Sequence, residues 1–232
     1  MLILVPAPRT QSTPTAGDPV EFDRLSYPAL SSARDAVLEA SGASNLRIAP
    51  AVAAVDLYGG LLLDAALDGL DAAGRRRAQE WIVLVSAAWG ALRLDDRVPA
   101  DRIDMCDRPP GLGHLVQYWQ EPFGGVLPRT MGDRLMVDCR SDEYVLTWRP
   151  SGEQSERWVY LKPVRDATFE RGSQGSMARR MRGVVLQRIL ADGLDQREPE
   201  ELAAALAEHF TLRLSEPERD GKPWMLRVVQ TS

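Results

Sequence analysis

Two short runs constrain this chain more than any other feature: Met-Leu-Ile-Leu-Val at residues 1–5 and Trp-Ile-Val-Leu-Val at 81–85. Each is aliphatic without interruption over the length of a strand. A strand with one wet face would alternate apolar and polar residues instead. The β-branched content of both runs favours extended backbone. Pro6 and Pro8 stop the first run, because proline cannot donate to a sheet ladder. Strands buried on both faces require a sheet with helices packed against it.

The rest of the chain supplies the other parts. Arg-Leu-Met-Val-Asp-Cys (134–139) and Arg-Trp-Val-Tyr-Leu-Lys-Pro-Val (157–164) read as further strands. Phe-Thr-Leu-Arg-Leu-Ser-Glu (210–216) and Pro-Trp-Met-Leu-Arg-Val-Val-Gln-Thr (223–231) read as a closing strand pair. Helical spacing predicts helices over 28–41, 71–81, 176–193 (ended by Gly193) and 198–210, the last with Pro199 and acids in its first turn. Residues 49–67 read as helical in parts, broken at Gly59-Gly60, and 6–27 as a long loop. Neither a repeat nor a linker interrupts this order. The expectation is one mixed α/β (α+β) domain over 1–232, its sheet flanked by helices and a polar cleft at the element ends.

Composition narrows the function classes. The chain has 232 residues, 44% hydrophobic and 26% charged, with a formal net charge of −5. That balance argues against a surface given over entirely to nucleic acid, while leaving room for a local basic patch. Cys106 and Cys139 form no CxxC pair, which points to a reduced, cytoplasmic protein without a zinc site. Two histidines make a histidine-rich metal site or a histidine triad an unfavourable reading. The apolar N-terminal run is too short for a membrane span. There is no phosphate-binding P-loop, no dinucleotide fingerprint, no HExxH and no GxSxG. No cofactor and no metal are expected.

Four polar constellations remain. In Asp-Cys-Arg-Ser-Asp-Glu-Tyr (138–144), Ser141 followed by two acids reads as a helix start, with the hydroxyl as cap and a helix over 142–148. Glu143 and Tyr144 are the candidate acid/base and hydrogen-bond donor there, with Ser141 beside them. After the second strand, Ser86, Gly90 and a charged stretch with Arg93 and Arg102 suggest either a solvated loop or an anion-binding pair. Arg179 and Arg182 lie one helical turn apart and share a face; this is a solvated surface or a phosphate contact. Pro-Pro-Gly-Leu-Gly-His (109–114) has the letters of a helix–hairpin–helix turn, with Gly111 and Gly113 bringing backbone N–H groups to a phosphate.

These pieces, in order, resemble the YaaA peroxide stress protein family. Met-Leu-Ile-Leu-Val-Pro-Ala-Pro-Arg-Thr resembles its opening strand followed by Ser-Pro-Ala-Lys-Thr. Asp-Leu-Tyr-Gly-Gly-Leu (56–61), Val-Ser-Ala-Ala-Trp-Gly-Ala-Leu-Arg-Leu-Asp-Asp (85–96) and Asp-Arg-Ile-Asp-Met (101–105) are similar to further family segments. So are Leu-Val-Gln-Tyr-Trp (115–119), the 138–144 stretch and Met-Arg-Gly (181–183). The chain departs from the family pattern where Arg9 replaces lysine, Asp101 tyrosine, Asp138 asparagine and Arg140 alanine. The resemblance implies a cytoplasmic protein of the hydrogen peroxide stress response. It also implies a positively lined cleft and DNA binding through a helix–hairpin–helix-like element; the leading reading is a cleft that binds nucleic acid or a nucleotide-like anion.

On this reading Arg9, Ser86, Arg93, Arg102, Ser141, Glu143, Tyr144 and Arg182 line one pocket, with Arg179 as a further anion contact. Asp101 and Asp138 are read as acids added to that cleft, favouring a small molecule over a phosphodiester. The alternative is a biosynthetic enzyme acting on a small purine or nucleotide-like substrate, with Glu143 as acid/base and the arginines as anion clamps. A third reading is an interaction protein with a vestigial cleft.

Overall fold

A computed structural model describes residues 1–170, 172 and 175–229. Nine strands are assigned among them: β1 (Leu2–Pro6), β2 (Val52–Ala53), β3 (Ile82–Ser86), β4 (Gly90–Leu92), β5 (Arg97–Val98), β6 (Met136–Asp138), β7 (Trp158–Val164), β8 (Leu212–Ser215) and β9 (Trp224–Val229). The α-helices are α1 (Ser31–Ala40), α2 (Ala54–Leu57), α3 (Leu61–Leu67), α4 (Ala72–Trp81), α5 (Leu115–Tyr118), α6 (Gln120–Met131), α7 (Asp142–Val145), α8 (Gly175–Asp192) and α9 (Pro199–Ala207).

Seven strands form one mixed sheet in the order β4-β3-β1-β6-β7-β9-β8. The five inner strands are parallel, and β4 and β8 close the edges antiparallel. β1 and β3, the two aliphatic runs, are neighbours in register Ile3 to Ile82. Both are buried throughout apart from Pro6. The closing strand pair is β8 with β9, and residues 230–231 of the expected last strand lie outside the described residues.

Two apolar layers cover the sheet. One packs Ile3, Val5, Leu84, Val137 and Leu161 against α3, α4, α8 and α9. The other packs Leu2, Leu4, Val83, Val85 and Met136 against α1, α5 and α6. The second layer stops near Trp158. Beyond it, the same face of β7 carries Tyr160 and Lys162, paired with Met225 and Arg227 of β9, all only partly buried. One face of the sheet is therefore covered across its width, whereas the other is left partly open over β7 and β9.

Local chemistry explains several element ends. Asp71 caps α4 by accepting from the Gly74 N–H at 2.7 Å. Arg77 donates to the Leu190 and Ala191 carbonyls, satisfying the carbonyl end of α8. Gly90 combines φ 68° with a Trp119 ring that would lie 2.8 Å from any added Cβ, so both backbone and packing demand glycine.

Candidate functional site

β1 passes the chain to β3 on one side, and the chain later returns to β6 on its other side. The carboxyl ends of β1 and β6 thus flank a point where the winding reverses, the place where open α/β sheets form a crevice. A cavity of about 1220 Å³ lies there. Its walls come from the segment after β1 (Pro6–Thr10), the segment after β6 (Ser141–Leu146), the open face of β7 (Tyr160, Lys162), and the first turns of α8 (Ala178, Arg179, Arg182).

The cations on its walls are Arg9, Arg149, Lys162, Arg179, Arg182 and Lys222; the acids are Asp104, Asp142 and Glu143. Arg9 forms an ion pair with Asp104. The other five cations have no ion-pair partner among the described residues. A chain of net charge −5 thus gathers six cations and three acids around one recess. Arg182 is held in place: its Nε donates to the Leu161 carbonyl at 3.2 Å and its Nη2 to the Tyr160 hydroxyl at 3.3 Å. Its guanidinium also lies 5.8 Å from the Tyr160 ring centroid.

The wall after β6 hangs on a buried ion pair. Asp138 and Arg140 are both fully buried. Arg140 donates to both Asp138 oxygens at 2.9 and 2.8 Å, and to the Tyr144 and Trp148 carbonyls at 3.2 and 2.9 Å. The Trp158 indole N–H also donates to Asp138, at 3.1 Å. This network fixes a single helical turn, α7, in place of the longer helix expected over 142–148. Ser141 occupies the N-cap position, but its side chain makes no capping bond; only its carbonyl is engaged, by the Val145 N–H at 2.9 Å. The side chains of Ser141, Asp142 and Glu143 are exposed along the cavity.

The phenols of the site stay protonated. Burial pushes Tyr144 well above the usual range, reinforced by Asp104 and only partly opposed by Arg9. Burial likewise moves Tyr160 up to about 12 despite nearby Arg182. Both are neutral hydroxyls rather than bases near neutral pH. Tyr160 donates to the Arg140 carbonyl at 3.1 Å and lies 3.5 Å from Asp142.

The structure brings Arg9, Ser141, Glu143, Tyr144, Arg179 and Arg182 into this one cavity. It does not bring in Ser86, Arg93 or Arg102. Ser86 is buried, accepting from the Trp89 N–H at 3.2 Å and facing the Tyr58 hydroxyl at 3.4 Å. Arg93 spends Nη1 on the Glu80 and Ile82 carbonyls at 2.7 and 3.1 Å, where α4 meets the amino end of β3. That is the wrong end of the strand for the crevice. Arg102 is exposed on a smaller cavity of about 400 Å³, together with Asp107.

Asp101 and Asp138 do not add charge to the cleft. Asp138 is neutralised by Arg140, and Asp101 borders the smaller cavity instead. The substitutions at 138 and 140 make sense together, as one pair. Gly111 and Gly113 both take positive φ, 81° and 71°, on a turn that enters α5. No helix precedes that turn within 101–114, so the two-helix frame of a helix–hairpin–helix is missing on its first side. Neither glycine lines the cavity.

Sequence reasoning missed Lys162, Lys222 and Arg149. Lys162 carried a usable signal, since alternation along β7 puts it on one face with Trp158 and Tyr160. It also missed Arg34, fully buried and donating to the Trp89, Tyr27, Ser26 and Ala91 carbonyls. Burial lowers the Arg34 pKa to about 10, with Asp96 opposing.

The sequence profile described as peroxide stress protein YaaA matches residues 25–215. This chain belongs to the YaaA peroxide stress protein family. A UPF0246 protein of Streptomyces coelicolor is 32% identical over 99% of this chain and 98% of its own length. A UPF0246 protein of Corynebacterium efficiens is 28% identical, covering 62% of this chain and 68% of the relative. One from Cereibacter sphaeroides is 31% identical, covering 68% and 62%. Among the described residues of this YaaA-family chain, no helix is long and apolar enough to cross a membrane, and no group of three His, Cys, Asp or Glu side chains is placed to hold a metal ion.

Proposed function

We propose that the cavity at the β1/β6 crevice binds a phosphate-bearing anion, nucleic acid or nucleotide-like, and that this binding serves a role in hydrogen peroxide protection. One observation carries the reading: Arg149, Lys162, Arg179, Arg182 and Lys222 line a single recess without an ion-pair partner among the described residues. Family membership supports the stress role. The test pairs binding with physiology. Pyrophosphate and a single-stranded oligonucleotide are titrated at low and moderate salt, and a strain lacking the gene is challenged with peroxide. Binding should weaken steeply with salt, Arg179→Ala should flatten that slope, and Arg182→Ala should fail to restore peroxide resistance. Absence of binding to either probe at low salt overturns the reading.

A second reading, catalysis on the bound anion, is favoured by Glu143 and Tyr144 lying in the same cavity as the cations. Under it, Glu143→Gln keeps binding and lowers turnover about a hundredfold or more, the scale of a general acid or base. Full turnover in that variant removes Glu143 from the chemistry.

A further inference from the structure

The cavity draws its cations and acids from different elements. Lys162 lies on the open face of β7, beside the first turns of α8 with Arg179 and Arg182, and Arg182 is pre-oriented by the Leu161 carbonyl and the Tyr160 hydroxyl. On the β1 side of the crevice, Arg9 is already engaged by Asp104, and Glu143 follows β6, which lies between β1 and β7. The exposed Glu143 carboxylate lines the cavity with no ion-pair partner among the described residues. The Cys106 thiol lies beside it, and a hydrogen bond to Glu143, with burial and the charges of Glu143 and Asp104, raises that thiol's pKa to about 11. Trp158, Tyr160, Pro223 and Met225 add apolar surface to the same walls.

We propose that the occupant is a nucleotide-like small molecule bound across the crevice: its phosphate against Lys162, Arg179 and Arg182, and a flat ring with N–H donors along one edge against Glu143. This rests on the anion-binding reading and specifies it. A carboxylate is an acceptor-only group able to take two parallel N–H bonds, which suits a ring edge presenting adjacent donors. The apolar part of the walls suits the body of such a ligand. A strand of phosphodiesters running the length of the cavity would set negative charge against Asp104 and Glu143, a like-charge contact that selects against it.

The experiment is calorimetric titration of the full chain at low salt with three probes: guanosine 5′-monophosphate, whose ring carries adjacent N–H donors; ribose 5-phosphate, which has no ring base; and a short deoxythymidine oligonucleotide. The mononucleotide should bind about tenfold or more tightly than ribose 5-phosphate, the margin of a charge-assisted pair. Glu143→Gln should erase that margin and leave ribose 5-phosphate unchanged, while Arg182→Ala should weaken both. Equal affinity for the two small probes overturns the crevice-spanning assignment and leaves the anion reading standing. So does a margin that survives in Glu143→Gln, or an oligonucleotide that outcompetes the mononucleotide. If no phosphate probe binds, both readings fall together.

Discussion

Arg140 and Asp138 share one buried pair, and the wall that carries Ser141, Glu143 and Tyr144 hangs from it. Removing one partner leaves the other charge buried without compensation, which costs about 3–5 kcal/mol. Arg140→Leu should therefore unfold at distinctly lower urea concentration than the natural chain. Replacing both, as Asp138→Asn with Arg140→Ala, returns the positions to the pattern of the family resemblance and removes both charges together. The double variant should lose less than Arg140→Leu does. A double variant as costly as the sum of its two single changes would show that the two side chains do not act as a pair. The same pair explains why this part of the site was only half readable. The residues at 140–144 announced themselves as polar, yet nothing local showed that Arg140 turns inward while its neighbours turn outward.

At the level of elements, β1 and β3 were readable because continuous aliphatic runs admit few alternatives. Helix α6 was not: Gln-Glu-Pro-Phe-Gly-Gly-Val-Leu-Pro-Arg-Thr-Met contains two prolines and two glycines, all poor helix formers. It is helical because Phe123, Val126, Leu127 and Met131 bury one face against the sheet. Tertiary packing there overrides propensity. Lys162 was missed for a related reason: β7 reads as an interior strand, and only the incomplete cover on one face exposes alternate residues. The junction of α3 with α8 supports a sharp test. A Cβ added at Gly183 would lie 2.3 Å from the Leu62 carbonyl oxygen and 2.7 Å from the Ala65 Cβ. In a free helix, glycine to alanine stabilises by roughly 1 kcal/mol. Here overpacking dominates, and Gly183→Ala should instead destabilise by about 1–3 kcal/mol. Because Leu61, Leu62, Arg179 and Arg182 belong to the two helices and to the cavity, anion affinity should fall with it. An unchanged or raised melting temperature would show that the helices separate at no cost.

For the molecule as a whole, the balance of charge and burial shapes its response to pH and to oxidants. Burial raises Asp101 from 3.8 to about 6, opposed by the Ile103 N–H and by Gln11. Its folded pKa thus exceeds its unfolded one. Between those values the unfolded chain ionises first, so stability from this residue is full below about pH 4 and is lost as pH rises through about 6. The loss is up to about 3 kcal/mol. Urea titrations of Asp101→Asn should show a flatter stability curve across that window than the natural chain, and parallel curves would refute the assignment. The two thiols are shifted in the same sense. Glu143 and Asp104 hold Cys106 up at about 11, and burial raises Cys139 to about 12. The thiolate, not the thiol, is the form that attacks peroxide. Raised thiol pKa values lower the share of the thiolate, so both sulfurs are poorer nucleophiles toward peroxide than an ordinary cysteine. Glu143→Gln would lift that restraint, and the sulfenic acid trapped at Cys106 after a peroxide pulse should form several-fold faster than in the natural chain.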